Sequence, residues 1–169
     1  MKTGDDYLSE LERAGIRWSV LDFHAERELR RAWHEIFGAI ERPNGLYAPE
    51  RRARKTTKRL LARSSTVPEP RLTTYRGPKA EVAFALWGDG DFYLFFDQCM
   101  SPPGPMTSAP ALSCMSGTRQ SFSWWKDLFF NEMAIDRVIL LALDYRWTLV
   151  INYRDDYRPE AVFALAPAI

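Results

Sequence analysis

The chain holds few of the residues that acid–base, thiol or metal chemistry needs: of 169 residues only two are histidine and two are cysteine. His24 and His34 are ten positions apart, about 80° out of register on a helix, a poor pair of metal ligands. His34-Glu35 lacks the second histidine of a zinc-protease helix. Cys99 and Cys114 each open a Cys-Met-Ser tripeptide, with no histidine close in sequence, so they read as ordinary thiols. A disulfide closing the loop between them is the alternative, and one that a reducing compartment opposes. There is no Gly-x-Ser-x-Gly elbow, Walker loop or dinucleotide fingerprint. We therefore expect no cofactor and no catalysis. No run of about 18 apolar residues exists to span a membrane. The N-terminus, MKTGDDYLSELERAG, is acidic and has no apolar stretch, so the expected location is the cytoplasm.

Acid is also missing from one stretch. Between Arg51 and Arg63 stand seven cations (Arg51, Arg52, Arg54, Lys55, Lys58, Arg59 and Arg63) and no Asp or Glu. The net charge of the whole chain is only +1, so charge is sorted along it. Residues 1–80 carry 17 Lys/Arg against 11 Asp/Glu, and residues 81–169 carry 6 against 11. Such segregation points to a partner selected electrostatically.

What is abundant is apolar and aromatic. Hydrophobic residues make up 46% of the chain, with six Trp, ten Phe and seven Tyr, enough for one substantial core. The pattern predicts a single domain over 1–169, helical over 1–65 and sheet-rich over 71–169. Asp5–Ala14 reads as a helix ended by Gly15. Ala25–Ile40 reads as a second, with Leu29, Ala32, Trp33, Ile36, Phe37 and Ile40 at helical spacing. Pro49 opens a third, to about residue 63, which presents the basic run opposite Ala53, Thr57, Leu60 and Leu61.

The period then turns to alternation. Val82–Trp87 and Phe92–Phe96 read as a hairpin joined by Gly88-Asp89-Gly90. Residues 101–121, rich in Pro, Ser and Gly, read as a long loop. A helix at about 122–134 is capped by Ser121 or Ser123. Arg137–Leu143 and Trp147–Tyr153 form a second hairpin turning at 144–146, and Ala161–Leu165 is a last strand. The class is α+β: a mainly antiparallel sheet of about five strands, helices packed on one face and one helix between two hairpins.

Candidate binding residues follow from charge and aromatics. Asp136, Asp144, Asp155, Asp156 and Glu160 interleave with Tyr145, Arg146, Tyr153, Arg154, Tyr157 and Arg158. Tyr and Arg are favoured anchors at protein interfaces. Asp144, Tyr145, Arg146, Asp155, Asp156 and Tyr157 are thus the first candidate partner surface. Arg51, Arg52, Lys55, Lys58 and Arg59 are the alternative, an anion-binding face suited to nucleic-acid phosphates. Against nucleic acid stand a pI near 7.8 and the lack of any helix-turn-helix, RNA-recognition or zinc-finger signature. A third reading is an acidic, metal-assisted enzyme site at Asp155-Asp156.

The run EVAFALWGDGDFYLFFD, followed by WWKDLFFNEMAIDRVILLALDYRWTLVINYRDD, resembles the layout of small bacterial immunity proteins from toxin–immunity systems. The likeness covers about residues 81–156 and rests on element order. It implies a single-domain α+β protein that neutralises a cognate toxin by direct binding, and it carries over no specific site residues.

Overall fold

The computed structural model describes residues 6–40, 72–98, 110–116, 119–129, 135–153 and 160–167. Its centre is a seven-stranded, wholly antiparallel sheet. In chain order the strands are β1 (Ile16–Val20), β2 (Thr73–Arg76), β3 (Phe92–Gln98), β4 (Leu112–Ser116), β5 (Ile135–Ala142), β6 (Trp147–Asn152) and β7 (Glu160–Leu165). In space they run β1-β4-β3-β5-β6-β7-β2, which leaves the two N-terminal strands on opposite edges. The helices are α1 (Asp6–Arg13), α2 (Phe23–Phe37, followed by a 3₁₀ turn at Gly38–Ile40), α3 (Pro78–Trp87) and α4 (Phe122–Phe129).

The α+β class and the antiparallel sheet agree with the sequence pattern, but the strand count does not. Strands β3, β5, β6 and β7 fall where apolar alternation places them. Residues 82–87 do not form a strand; they are the second half of α3. Every residue from Val82 to Trp87 is apolar, so alternation and helical periodicity cannot be told apart there. Helix formation is decided upstream and downstream. Pro78 sits at the helix start, Ala80, Ala83 and Ala85 favour helix, and the Gly88 N–H caps the Phe84 carbonyl. Three further strands, β1, β2 and β4, are short and lack an alternating run.

Side-chain alternation divides the core in two. Phe92, Leu94 and Phe96 of β3, Val138 and Leu140 of β5, Trp147, Leu149 and Ile151 of β6, and Phe163 of β7 face α1, α3 and α4. Phe95, Ile139, Leu141, Val150 and Val162 point the other way, onto Leu29, Trp33 and Phe37 of α2. Helices therefore cover both faces, where the element order had suggested one. That sandwich explains why the central strands read as unbroken apolar runs.

Local chemistry fixes α2 on its face. Asp22 caps its N-terminus, Oδ1 accepting the Ala25 N–H at 2.7 Å. The Trp33 indole N–H donates to Thr148 Oγ1 at 2.9 Å, and that hydroxyl donates to the Leu140 carbonyl at 2.8 Å. Thr148 is thereby satisfied although fully buried. Arg30 reaches from the helix to the sheet, donating to the Phe96 carbonyl at 2.7 Å and to Asp97 Oδ1 at 3.1 Å, and also pairs with Glu26. Arg137 donates to Asp97 Oδ2 from the other side, its Nε at 2.8 Å. The two guanidiniums lie over the Phe95 and Trp33 rings respectively.

Cys114, paired across the ladder with Phe92, is a free and fully buried thiol. Cys99 lies outside the described residues.

Candidate functional site

The end of the sheet where β3 and β6 begin and β5 ends gathers the chemistry. Two connections meet there, the α3–β3 loop Gly88–Asp91 and the β5–β6 turn Leu143–Arg146. The Leu143 N–H donates to the Asp91 carbonyl at 3.1 Å and ties them together. The Trp147 indole N–H donates to the Asp89 carbonyl at 3.1 Å. Arg146 then links the charges, with Nε 2.5 Å from Asp144 Oδ2 and Nη2 3.7 Å from Asp89 Oδ1. Both are exposed surface pairs of modest energy, so their value lies in aligning charge.

The turn itself is strained. Tyr145 holds φ at 61°, and it is the only non-glycine with positive φ among the described residues. Asp144 Oδ1 accepts the Arg146 N–H at 3.2 Å, and the Tyr145 N–H donates to Ala142. Such backbone costs about 1 kcal/mol or more and clusters at binding sites. Its ring stacks on Tyr93, centroids 6.4 Å apart, on the α2 face. Burial, then the neighbouring Tyr93, pushes its phenol above the ordinary value.

On the opposite face, the same sheet end opens into a cavity of about 300 Å³. Phe84, Phe92, Trp125 and Trp147 wall it, Leu140 contributes from the sheet, and Gly88–Gly90, Arg119 and Gln120 complete the lining. The rings are set edge-on and locked. Phe92 meets Trp125 at 88°, Phe84 meets Trp147 at 69°, and Trp147 stacks on Phe163. Ser121 caps α4, as its sequence position predicts, Oγ accepting the Trp124 N–H at 3.2 Å and so placing Trp125. Arg119 donates to the Ala85 carbonyl. Gly88 is required by the close approach of Phe84, because a Cβ there would collide with that ring and sit 2.8 Å from its carbonyl oxygen. Gly90 turns the loop at φ +86°. We expect Gly88→Ala to push the Phe84 ring into the cavity and to cost about 1–3 kcal/mol. Urea unfolding, with the indole NMR signal of Trp147 as local reporter, checks both effects.

A third feature adjoins the cavity. The outward side of α3 carries Val82 and Leu86, 61% and 62% exposed, one turn apart. Its inward side buries Ala80, Ala83 and Phe84. A helix apolar on both sides is normally covered on both.

Neither a protein-family model, nor a curated protein, nor a solved structure matches this chain.

Of the residues singled out from sequence, Asp144 and Arg146 come together with Asp89, while Tyr145 turns to the other face. Asp155, Asp156 and Tyr157 lie outside the described residues. Their described neighbours, Tyr153 and Glu160, are at the far end of β6 from the turn. The basic residues Arg51, Arg52, Lys55, Lys58 and Arg59 also lie outside the described residues. His24 and His34 are exposed on α2. Among the described residues no three His, Cys, Asp or Glu are grouped to hold a metal ion, and no helix is long and apolar enough to cross a membrane. The cavity escaped sequence reading because its walls come from five separate segments. One signal did exist: Arg119-Gln120 is polar, directly before an aromatic helix start.

Proposed function

We propose that this protein is a non-catalytic protein-binding module, an immunity-type protein that neutralises a bacterial toxin by covering it. The observation that carries this reading is the exposed apolar side of α3, ending at the charged turn. Val82 and Leu86 offer a dry centre. Asp89, Arg146 and Asp144 offer a polar, charge-ordered rim, reached through the loop that follows Trp87. An apolar centre with a charged rim is the ordinary anatomy of a specific interface. The strained Tyr145 turn adds support, since it holds Arg146 against Asp89 at a conformational cost. Charges in such a rim act mainly on the rate of encounter.

The test is co-expression with the toxin encoded beside this gene, followed by purification through a tag on either protein. The expected result is rescue of growth and a one-to-one complex. Leu86→Glu, on the exposed side of α3, should weaken the complex by about a hundredfold with an unchanged fold. Arg146→Glu should slow association by about tenfold at low salt, and less at high salt. Absence of rescue and of co-purification would overturn the reading, as would a complex indifferent to Leu86→Glu.

A further inference from the structure

One side of the sheet ends in a strand paired on a single edge. We propose that this strand, β1 (Ile16–Val20), joins a second copy of the chain, edge to edge, in a symmetric dimer. The direction of its backbone groups, its self-complementary order of residues and an unmet indole N–H carry the proposal.

Backbone direction comes first. β1 pairs with β4 in an unbroken antiparallel register, from Ile16↔Ser116 to Val20↔Leu112. One step further in the same register, the Leu21 N–H donates to the Ala111 carbonyl at 2.9 Å. Backbone groups alternate in direction along an antiparallel strand, so Ser19 and Arg17 also bond inward to β4. The N–H and C=O groups of Ile16, Trp18 and Val20 therefore point away from the sheet. Among the described residues no strand lies on that side. Natural edges are blunted by proline, bulges, clustered charge or short length. β1 has no proline, no bulge in its register and a single charge, Arg17. The opposite edge differs: β2 has four residues, runs into Gly77-Pro78 and folds Arg76 onto the Ile40 carbonyl.

The residue order selects the partner. The three outward residues are spaced evenly about Trp18, so a two-fold axis at Trp18 sets it against its own counterpart. Ile16 then faces the second copy's Val20, and each facing pair exchanges both N–H···O bonds. Arg17 stands opposite the second copy's Ser19, so like charges do not meet directly. An isologous contact requires a strand that fits itself, and Ile16–Val20 meets that requirement. The side chains agree. Ile16 and Trp18 pack with the core on the α1 face, and Val20, in step with them, is 55% exposed. Pairing continues that apolar face across the axis. The Trp18 indole Nε1 is buried with no hydrogen-bond partner, the one such side-chain atom among the described residues. A buried donor of this kind calls for a group from outside, and in the dimer a second indole is its cross-strand neighbour.

This edge is remote from the surface proposed for the toxin. α3 packs on β2 and β7, at the other end of the sheet, so dimerisation leaves Val82 and Leu86 open. The test uses the purified chain alone. A five-residue strand pair is a small contact, so a Kd of about 1–100 µM is expected. Sedimentation velocity from about 2 to about 500 µM should show monomer giving way to dimer. Val20→Pro removes an outward N–H and no bond to β4, and should weaken association at least about tenfold with the fold retained. In the native chain at high concentration, NMR hydrogen exchange should find the Trp18 amide protected. In Val20→Pro that protection should fall, while Arg17 and Ser19 keep theirs. Should Val20→Pro fail to fold, Val20→Lys, at an exposed side chain, answers the same question. A chain monomeric throughout, or a dimer that the folded variant leaves intact, overturns the proposal. So does a Trp18 amide equally protected in the folded variant, which would assign the edge to cover from within one chain.

Discussion

Replacing Asp97 with alanine is expected to remove about 2–4 kcal/mol of stability. At about 2–4 °C per kcal/mol for a chain of this size, the melting temperature should fall by roughly 5–15 °C. Both carboxylate oxygens are engaged, Oδ1 by Arg30 and Oδ2 by Arg137, and the three side chains are only 22–32% exposed. Truncation removes the carboxylate that both guanidiniums share beside aromatic rings, and only Glu26 still answers Arg30 from its own helix. Partial exposure keeps the cost below that of a fully buried pair. Arg137→Met in the Asp97→Ala background should recover part of the loss, because it removes a guanidinium that no longer meets the Asp97 carboxylate. A loss below about 0.5 kcal/mol would show that the Asp97 bridge adds little to the packing and hydrogen bonds that hold α2 to the sheet.

The second large effect is alkaline lability. Burial pushes the Cys114 thiol up from 9.0 to about 12. Burial, with Asp127 adding to it, raises the Tyr153 phenol as well, and that hydroxyl donates to the Lys126 carbonyl at 2.8 Å. Both groups are neutral in the folded state at pH values where the unfolded chain has already lost their protons. The unfolded state therefore binds fewer protons, and stability falls as pH rises. Below about pH 9 Cys114 contributes nothing to the slope. Between about 9 and 12 it removes roughly 1.4 kcal/mol per pH unit. Urea midpoints should thus hold steady to pH 8.5 or so and drop by pH 11 by an amount worth about 3 kcal/mol. Cys114→Ala should flatten most of that descent while lowering stability at neutral pH through the methyl-sized void it leaves. An equally steep descent in the variant would assign the lability to the tyrosines. The same burial predicts that native Cys114 resists alkylation until the protein unfolds.

The central strands were legible from sequence because burial on both faces makes them dense in Val, Ile, Leu and Phe. Helices α1 and α2 were legible from capping and period: Gly15 ends one turn, and Leu29, Trp33 and Phe37 mark one stripe. The edges were not. β1 (Ile16–Val20) buries only Ile16, and β2 (Thr73–Arg76) buries no residue fully, so neither shows an alternating run. β4 hides in a Pro- and Ser-rich stretch, where its Leu112 and Cys114 are buried in the core with the preceding Ala111. α3 was misread for the opposite reason, an excess of apolar residues that erased the period. Of the candidate site, charge patterning found Asp144 and Arg146. It missed Asp89, which looked like a turn residue, and Arg119, whose neighbours in space are remote in sequence.

The strand order also governs when the fold becomes possible. β1 finds its partner in β4 and β2 finds its partner in β7, each between 86 and 100 residues further along. During synthesis β1 and β2 thus leave the ribosome with their hydrogen-bonding edges unmet. The β5–β6–β7 meander, built from neighbouring strands, is the natural place for pairing to begin once it emerges. The N-terminal strands then close the sheet from its two sides. A ribosome that stalls before residue 160 leaves Thr73–Arg76 with no strand to join, and its exposed edge invites the quality-control machinery of the cell.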